Sequence, residues 1–204
     1  MSGAEAWVPP NPTLPVLREA VRLCEGCDLR LHATQAVFGQ GPRTARMFLI
    51  GEQPGNEEDL KGFPFVGPAG RILDQALEAA SIDRTSVYLT NVVKHFKFED
   101  RGKRRLHKRP LVTEIRACGP WLEAEVQVVK PRVIVCLGAT AAQALFGSAF
   151  RVTEKRGMPL EHKWAWHALA TIHPSAVLRT RDKQARHAEY SRFVDDLKSA
   201  VKLL

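Results

Sequence analysis

This chain is short of several things at once. It has four cysteines among 204 residues, too few for a disulfide framework of the kind that staples small secreted domains. Acidic residues are in deficit: 22 Asp and Glu stand against 30 Lys and Arg, a formal charge of +8. That balance disfavours a cationic partner and favours a polyanion such as nucleic acid, without establishing one. No apolar run nears the roughly 18 residues that cross a bilayer, so no membrane partner is expected. The opening MSGAEAWVPPNPTLP lacks the basic and then apolar stretches of a secretion signal. Internal repeats and low-complexity tracts are missing as well. The expectation is one soluble cytoplasmic domain spanning residues 1–204, with residues 1–15 as an irregular arm. Nothing in the sequence demands more than a monomer.

What is present is a regular alternation of short apolar runs and amphipathic stretches. Ala45–Ile50, Val87–Thr90, Val133–Leu137 and Ala168–Ile172 read as strands. The third is apolar throughout, as a parallel strand buried on both faces should be. Helices are expected at Val16–Leu23, Pro68–Ala80, Thr113–Val129, Ala139–Leu145 and Lys183–Leu203. A short extended piece is expected at Thr34–Phe38, and short strands and turns over 150–167. Strand alternating with helix implies an α/β fold, a three-layer α/β/α domain around a mostly parallel four-stranded sheet.

The stretch IGEQPGNEEDLKGFPFVGPAG, Ile50 to Gly70, joins the first strand to the next helix. Six of its first 18 residues are Gly or Pro, which stiffens it and lets backbone approach a ligand. It carries Glu52, Gln53, Asn56, Glu57, Glu58 and Asp59 beside two aromatics, Phe63 and Phe65. In open α/β sheets ligands bind just beyond the carboxyl ends of strands. Gly51, Glu52 and Gln53, then Asn91, then His173 all fall at such ends, so they should meet in one crevice. The bland alternatives are an acidic surface loop, a turn asparagine and a helix-capping histidine. Elsewhere, Cys24 and Cys27 form a Cys-x2-Cys pair, a pattern that suggests metal, an iron–sulfur cluster or redox chemistry. Residues 94–110 read as a basic insert, and its Arg101–Arg109 part holds six Lys or Arg in nine residues. Attraction to phosphates explains those cations, but not the His107 among them.

GEQPGNEEDLKGFPFVGPAG, TNVVK and the later HPS together resemble the uracil-DNA glycosylase superfamily, most closely its iron–sulfur group. The insert GKRRLHK is similar to that of the covalent, UdgX-type branch, where a basic loop carries a histidine. The resemblance implies an enzyme that cuts the N-glycosidic bond of uracil in DNA, with single strands favoured and free uracil as product. It implies that His107 then bonds the sugar C1′, ending in a single turnover. A carboxylate hydrogen-bonded to its other ring nitrogen would orient His107, the role expected of Glu52, and by the same resemblance His173 would stabilise the leaving uracil. Asn91 would read the base edge, Phe65 would stack on the ring, and Gln53 with neighbouring backbone, Gly51 included, would hold the O2 side. Of the two aromatics, Phe63 is expected to be the core residue. Lys103, Arg104, Arg105 and Lys108 would contact DNA phosphates.

A 4Fe–4S cluster is implied as cofactor, held by Cys24, Cys27, His95 and Cys118. His95 stands where the family usually has cysteine, and Cys136 is set aside because it lies inside a buried strand. Zinc remains open on ligand type alone. Two other readings stay available: an ordinary multiple-turnover glycosylase with a DNA-clamping loop, and a non-catalytic uracil-DNA or single-strand binding module.

Overall fold

Five-residue apolar runs such as Val133–Leu137 have no polar face to show to water, so they must be covered on both sides. The computed structural model describes residues 3–102 and 104–204 and shows how this is done. The amino-terminal arm is anchored, because the Ala4 N–H bonds the Ala117 carbonyl at 2.8 Å and Ala4 is buried. Helix α1 (Leu14–Val21) follows, capped by the Thr13 hydroxyl. Strand β1 (Met47–Gly51) leads into a short helix α2 (Asn56–Lys61) and then α3 (Pro68–Ala79). Strand β2 (Tyr88–Asn91) precedes a hairpin of β3 (Phe98–Arg101) and β4 (Arg104–His107). The order continues with α4 (Val112–Val129), β5 (Val133–Leu137), α5 (Ala139–Phe146), α6 (Val152–Lys155), β6 (Leu160–His162), β7 (Ala165–Thr171), α7 (Pro174–Arg179) and α8 (Lys183–Val201).

The main sheet runs β2-β1-β5-β7-β6, parallel except for β6. It has five strands rather than the four expected. The extra one is a three-residue edge strand whose pairing with β7 is irregular, too short to leave a period in the sequence. Successive side chains alternate between two cores. Phe48, Ile50, Tyr88, Ile134, Cys136 and Ala170 pack against Leu17, Trp121, Leu122 and Ala141 from α1, α4 and α5. Met47, Leu49, Leu89, Val135, Leu137 and Leu169 pack against Leu73, Leu77, Phe193 and Leu197 from α3 and α8. The result is the three-layer arrangement. Among the described residues no helix is long and apolar enough to cross a membrane.

Other expectations shift in detail. Thr34–Phe38 forms no strand; the chain instead pairs once, Gln40 with Leu89, beside β2. The basic insert is a hairpin rather than a loop, turned at Gly102 with φ 62°. Its paired residues include Asp100 opposite Arg105, an attractive cross-strand charge pair.

One polar pair is sealed between α4 and the segment after β2. Lys94 and Glu125 are both fully buried, with Nζ 2.5 Å from Oε2. The ammonium also donates to Thr90 Oγ1 at 2.7 Å and to the Asn91 carbonyl at 2.8 Å. Glu125 accepts from the Gly39 N–H and the Tyr88 hydroxyl besides. An ion pair out of water holds only when its remaining hydrogen-bonding capacity is met in this way.

Candidate active site

The register of the parallel strands decides which residues meet. Gly51 lies opposite Asn91 across β1 and β2, and β5 and β7 end beside them at Leu137 and Thr171. Beyond these ends lies a crevice of about 890 Å³, lined by Glu52, Gln53, Phe65, Asn91, His107, Thr140 and His173 among others. The predicted convergence is therefore observed, and the hairpin adds His107 from the rim.

Two glycines make room for it. A Cβ on Gly51 would stand 2.3 Å from Asn91 Oδ1 and 2.7 Å from Phe65 Cζ, so only glycine lets the amide and the ring approach. Gly138, at φ 96°, touches the His173 Cβ in the same manner, since a methyl there would sit 2.9 Å away. Asn91 is buried, and its side-chain amide has no hydrogen-bond partner among the described residues. Its donor and acceptor remain available to a ligand.

Phe65 reverses one expectation. It is 5% exposed, whereas Phe63 is 47% exposed, so Phe65 and not Phe63 joins the core. Phe65 has φ 55°, an uncommon conformation for a bulky residue, which swings its ring inward. Its carbonyl is held by the Arg84 guanidinium at 3.3 Å. Phe65 belongs to the core cluster that includes Leu73 and also lines the crevice, its ring centroid 6.2 Å from that of His173.

His173 caps α7 and faces the crevice at once. Its Nδ1 accepts the Ser175 N–H at 3.2 Å and lies 2.8 Å from Ser175 Oγ, which in turn accepts from Arg179 at 2.8 Å. With Nδ1 an acceptor, the ring proton is assigned to Nε2, on the open side. Burial, helped by the nearby Arg179 and His107, pushes the pKa of His173 down to about 4. It is a neutral hydrogen-bond donor at neutral pH.

His107, at the end of β4, has half of its side chain exposed, and its Nε2 lies 3.4 Å from Glu52 Oε1. The other Glu52 oxygen, Oε2, accepts a short hydrogen bond from the Thr140 hydroxyl. Thr140 went unnoticed in the sequence, where it is one polar residue in the helix ATAAQALF.

Two residues expected at the ligand are spent on holding the hairpin. The Gln53 amide donates to the carbonyls of Lys97 at 3.1 Å and Lys108 at 3.0 Å, and its oxygen accepts the Lys97 N–H at 3.1 Å. Both amide protons are thereby committed, and only the second lone pair of the oxygen is left for a ligand. Arg105 turns inward as well: its guanidinium bonds Asn56 at 2.8 Å and the fully buried Asp59 at 2.6 Å, and lies over the rings of Phe96 and Phe98. It is a staple between hairpin and α2, not a phosphate contact. Lys108 is exposed and pairs with Glu99, Arg104 is exposed, and Lys103 lies outside the described residues.

The four residues expected to bind a cofactor also meet. Cys24, Cys27, His95 and Cys118 line a small cavity of about 10 Å³, with Lys94 and Trp121 around them. Cys136 lies elsewhere, in the core beneath β5. The cysteines form no disulfides. Burial drives the Cys118 thiol up to about 12 and raises Cys27 too, while it pushes His95 down to about 4, a neutral imidazole. Two of the sulfurs nevertheless receive N–H groups: Trp121 Nε1 at 3.2 Å and the Gly26 N–H on Cys24, and the Lys94 N–H at 3.3 Å on Cys118. Among the described residues, no three His, Cys, Asp or Glu side chains converge closely enough for a single ion.

Comparison with known proteins agrees with this geometry. The profile of the Uracil DNA glycosylase superfamily matches residues 38–198. The Type-4 uracil-DNA glycosylase of Thermotoga maritima is 37% identical over 174 residues, covering 85% of this chain and 87% of its own. That of Archaeoglobus fulgidus is 36% identical, covering 80% and 81%, and that of Pyrobaculum aerophilum 35%, covering 88% and 90%. The chain belongs to the uracil-DNA glycosylase superfamily.

Proposed function

We propose that this protein excises uracil from DNA and then becomes bonded to the exposed sugar through His107. The observation that carries the second half is the 3.4 Å approach of His107 to Glu52 at the rim of a crevice that holds Asn91, Phe65 and His173. The first half is supported by the Type-4 relatives and by the three residues themselves. A base turned out of the stack would lie against Phe65, with the Asn91 amide on its O4 and N3–H edge. Single strands are the preferred substrate, since they spare the cost of unpairing.

The steps follow from where the groups stand. The C1′–N1 bond breaks and its electron pair leaves with uracil, so negative charge gathers on O2. The neutral His173 N–H, already aimed into the crevice, stabilises that anion without moving. The sugar is left as an oxocarbenium cation. The lone pair of the His107 nitrogen turned away from Glu52 forms a bond to C1′, and the ring takes the positive charge. Glu52, at the other nitrogen, stabilises that charge and accepts the ring proton. An attached protein cannot recycle, so the reaction stops at one turnover.

The buried thiols of Cys24, Cys27 and Cys118, the His95 imidazole and the N–H groups on the sulfurs are the donor set a 4Fe–4S cluster requires. When bound, that cluster would serve as a structural cross-link among the end of α1, the segment after β2 and α4. His95, Lys97 and the start of the hairpin would thereby be fixed beside the crevice.

A denaturing gel after heating in detergent tests the reading. A band at the summed mass with a uracil oligonucleotide, absent with thymine, is expected. Abasic product without that band would leave an ordinary glycosylase, in which Glu52 serves a water. Neither product would leave only a binding module.

A further inference from the structure

The reading above gives Glu52 a task that depends on direction: one carboxylate oxygen must face His107 while the side chain hangs from a loop just past β1. A free glutamate would sample several rotamers there. We propose that Thr140, at the start of α5, is the positioning residue that aims it. This inference rests on the assignment of Glu52 and His107.

Thr140 is 4% exposed, so its hydroxyl has little water to satisfy it, and its one proton is directed at Glu52 Oε2. With Oε2 held, Oε1 is the oxygen that stands 3.4 Å from His107 Nε2. The anchor is itself rigid. Thr140 lies in the first turn of α5, which follows Gly138 directly, and the Gly138 N–H is tied to the Thr171 carbonyl at 2.9 Å. Its β-branched side chain has few rotamers to choose from in a helix.

The same helix reaches the other member of the pair. Gln143, three residues on and so on the same face, accepts the Arg109 guanidinium at 2.9 Å on its oxygen. Its amide nitrogen donates to the Phe150 carbonyl at 3.3 Å, which fixes which way that amide points. Arg109 follows His107 by two residues. Helix α5 thus holds the carboxylate with one residue and the tail of the nucleophile's hairpin with another. It contributes to the spacing of Glu52 and His107 from both sides.

Thr140→Val keeps the shape and removes the hydroxyl, and Thr140→Ser keeps the hydroxyl and removes a methyl. In single-turnover capture of a uracil oligonucleotide, Thr140→Val should lower the maximal rate of adduct formation by about 10- to 100-fold, the scale of a small misplacement of reacting groups. The half-saturating oligonucleotide concentration should change less than twofold, and released uracil should rise relative to adduct. Thr140→Ser should recover most of the rate. Wild-type capture in Thr140→Val, or equal slowing in both variants, would overturn the inference. If the wild type released uracil but formed no adduct, the His107 assignment alone would fail. The rate of release in Thr140→Val would then still read the contact, because Glu52 would be orienting a water, and an unslowed release would overturn it.

Discussion

The two halves of the crevice are built in different ways. Asn91 and His173 sit at the ends of a buried sheet with Phe65 beside them on the loop before α3, held by backbone, by core packing and by close approach to two glycines. His107 stands on an exposed two-stranded hairpin, a structure only marginally stable by itself. A few polar staples hold it: Gln53 to two carbonyls, Arg105 to Asp59, Arg109 to Gln143 and Lys97 to Glu114. Under the proposed function, recognition of the base is a property of the fold, while the fate of the sugar is a property of an attachment. The second can change without disturbing the first.

The sharpest way to break that contrast is His107→Ala, which should cut adduct formation by more than about 1,000-fold. Uracil should still be released, and an adduct of unchanged yield on the same gel would place the nucleophile elsewhere. Next in size, His173→Ala should slow uracil release by about 100- to 1,000-fold, the cost of one preorganised donor to a developing anion. Capture should fall with it. The pH profile of release carries the same information. His173 has its pKa depressed to about 4 by burial, so it stays neutral as pH falls through 6.5. Its contribution is therefore present above that value and is lost only as pH approaches 4. A limb in release near 6.5 that His173→Gln abolished would contradict this environment.

Smaller in effect, Arg105→Ala leaves Asp59 buried without its cation. Stability should drop by about 3 kcal/mol, seen as a melting temperature lower by roughly 6–12 °C. Capture should slow by about tenfold while release slows less, a ratio read from one time course. Equal slowing of both would mean that the hairpin also shapes the base pocket. Smallest of all, the proposed cluster should give anaerobically purified protein a broad visible absorption that Cys136→Ala leaves intact, at a cost of about 1 kcal/mol of core burial. Cys118→Ala should abolish that absorption. A reversal of these two would reassign the cofactor's ligands.

The same division governs what could be read from the chain. The parallel strands, α3, α4 and α8 announced themselves by apolar runs and spacing, and the strand-end rule brought Glu52, Asn91 and His173 together before any coordinates. The hairpin did not announce itself, because its pattern is charged and its stability comes from contacts outside it. Gln53 looked like a base-binding amide; its partners are carbonyls 44 and 55 residues away, and no local signal points to them. Phe63 and Phe65 are equivalent by composition, and only the positive φ at Phe65 decides which one turns inward. Thr140 carries no motif at all. A threonine in the first turn of a helix after a strand becomes informative only once a carboxylate is found above it.

The sealed pair of Lys94 and Glu125 has a consequence for how the molecule assembles. Were α4 to dock one turn out of place, both charges would be stranded in the core. That penalty of several kcal/mol is comparable to the whole margin by which a domain is folded. Lys94 also binds the Asn91 carbonyl and, through its N–H, the Cys118 sulfur, so the correct docking completes the base reader and the cysteine cavity in the same event. A half-built protein, with one site formed and the other not, is disfavoured by the same penalty.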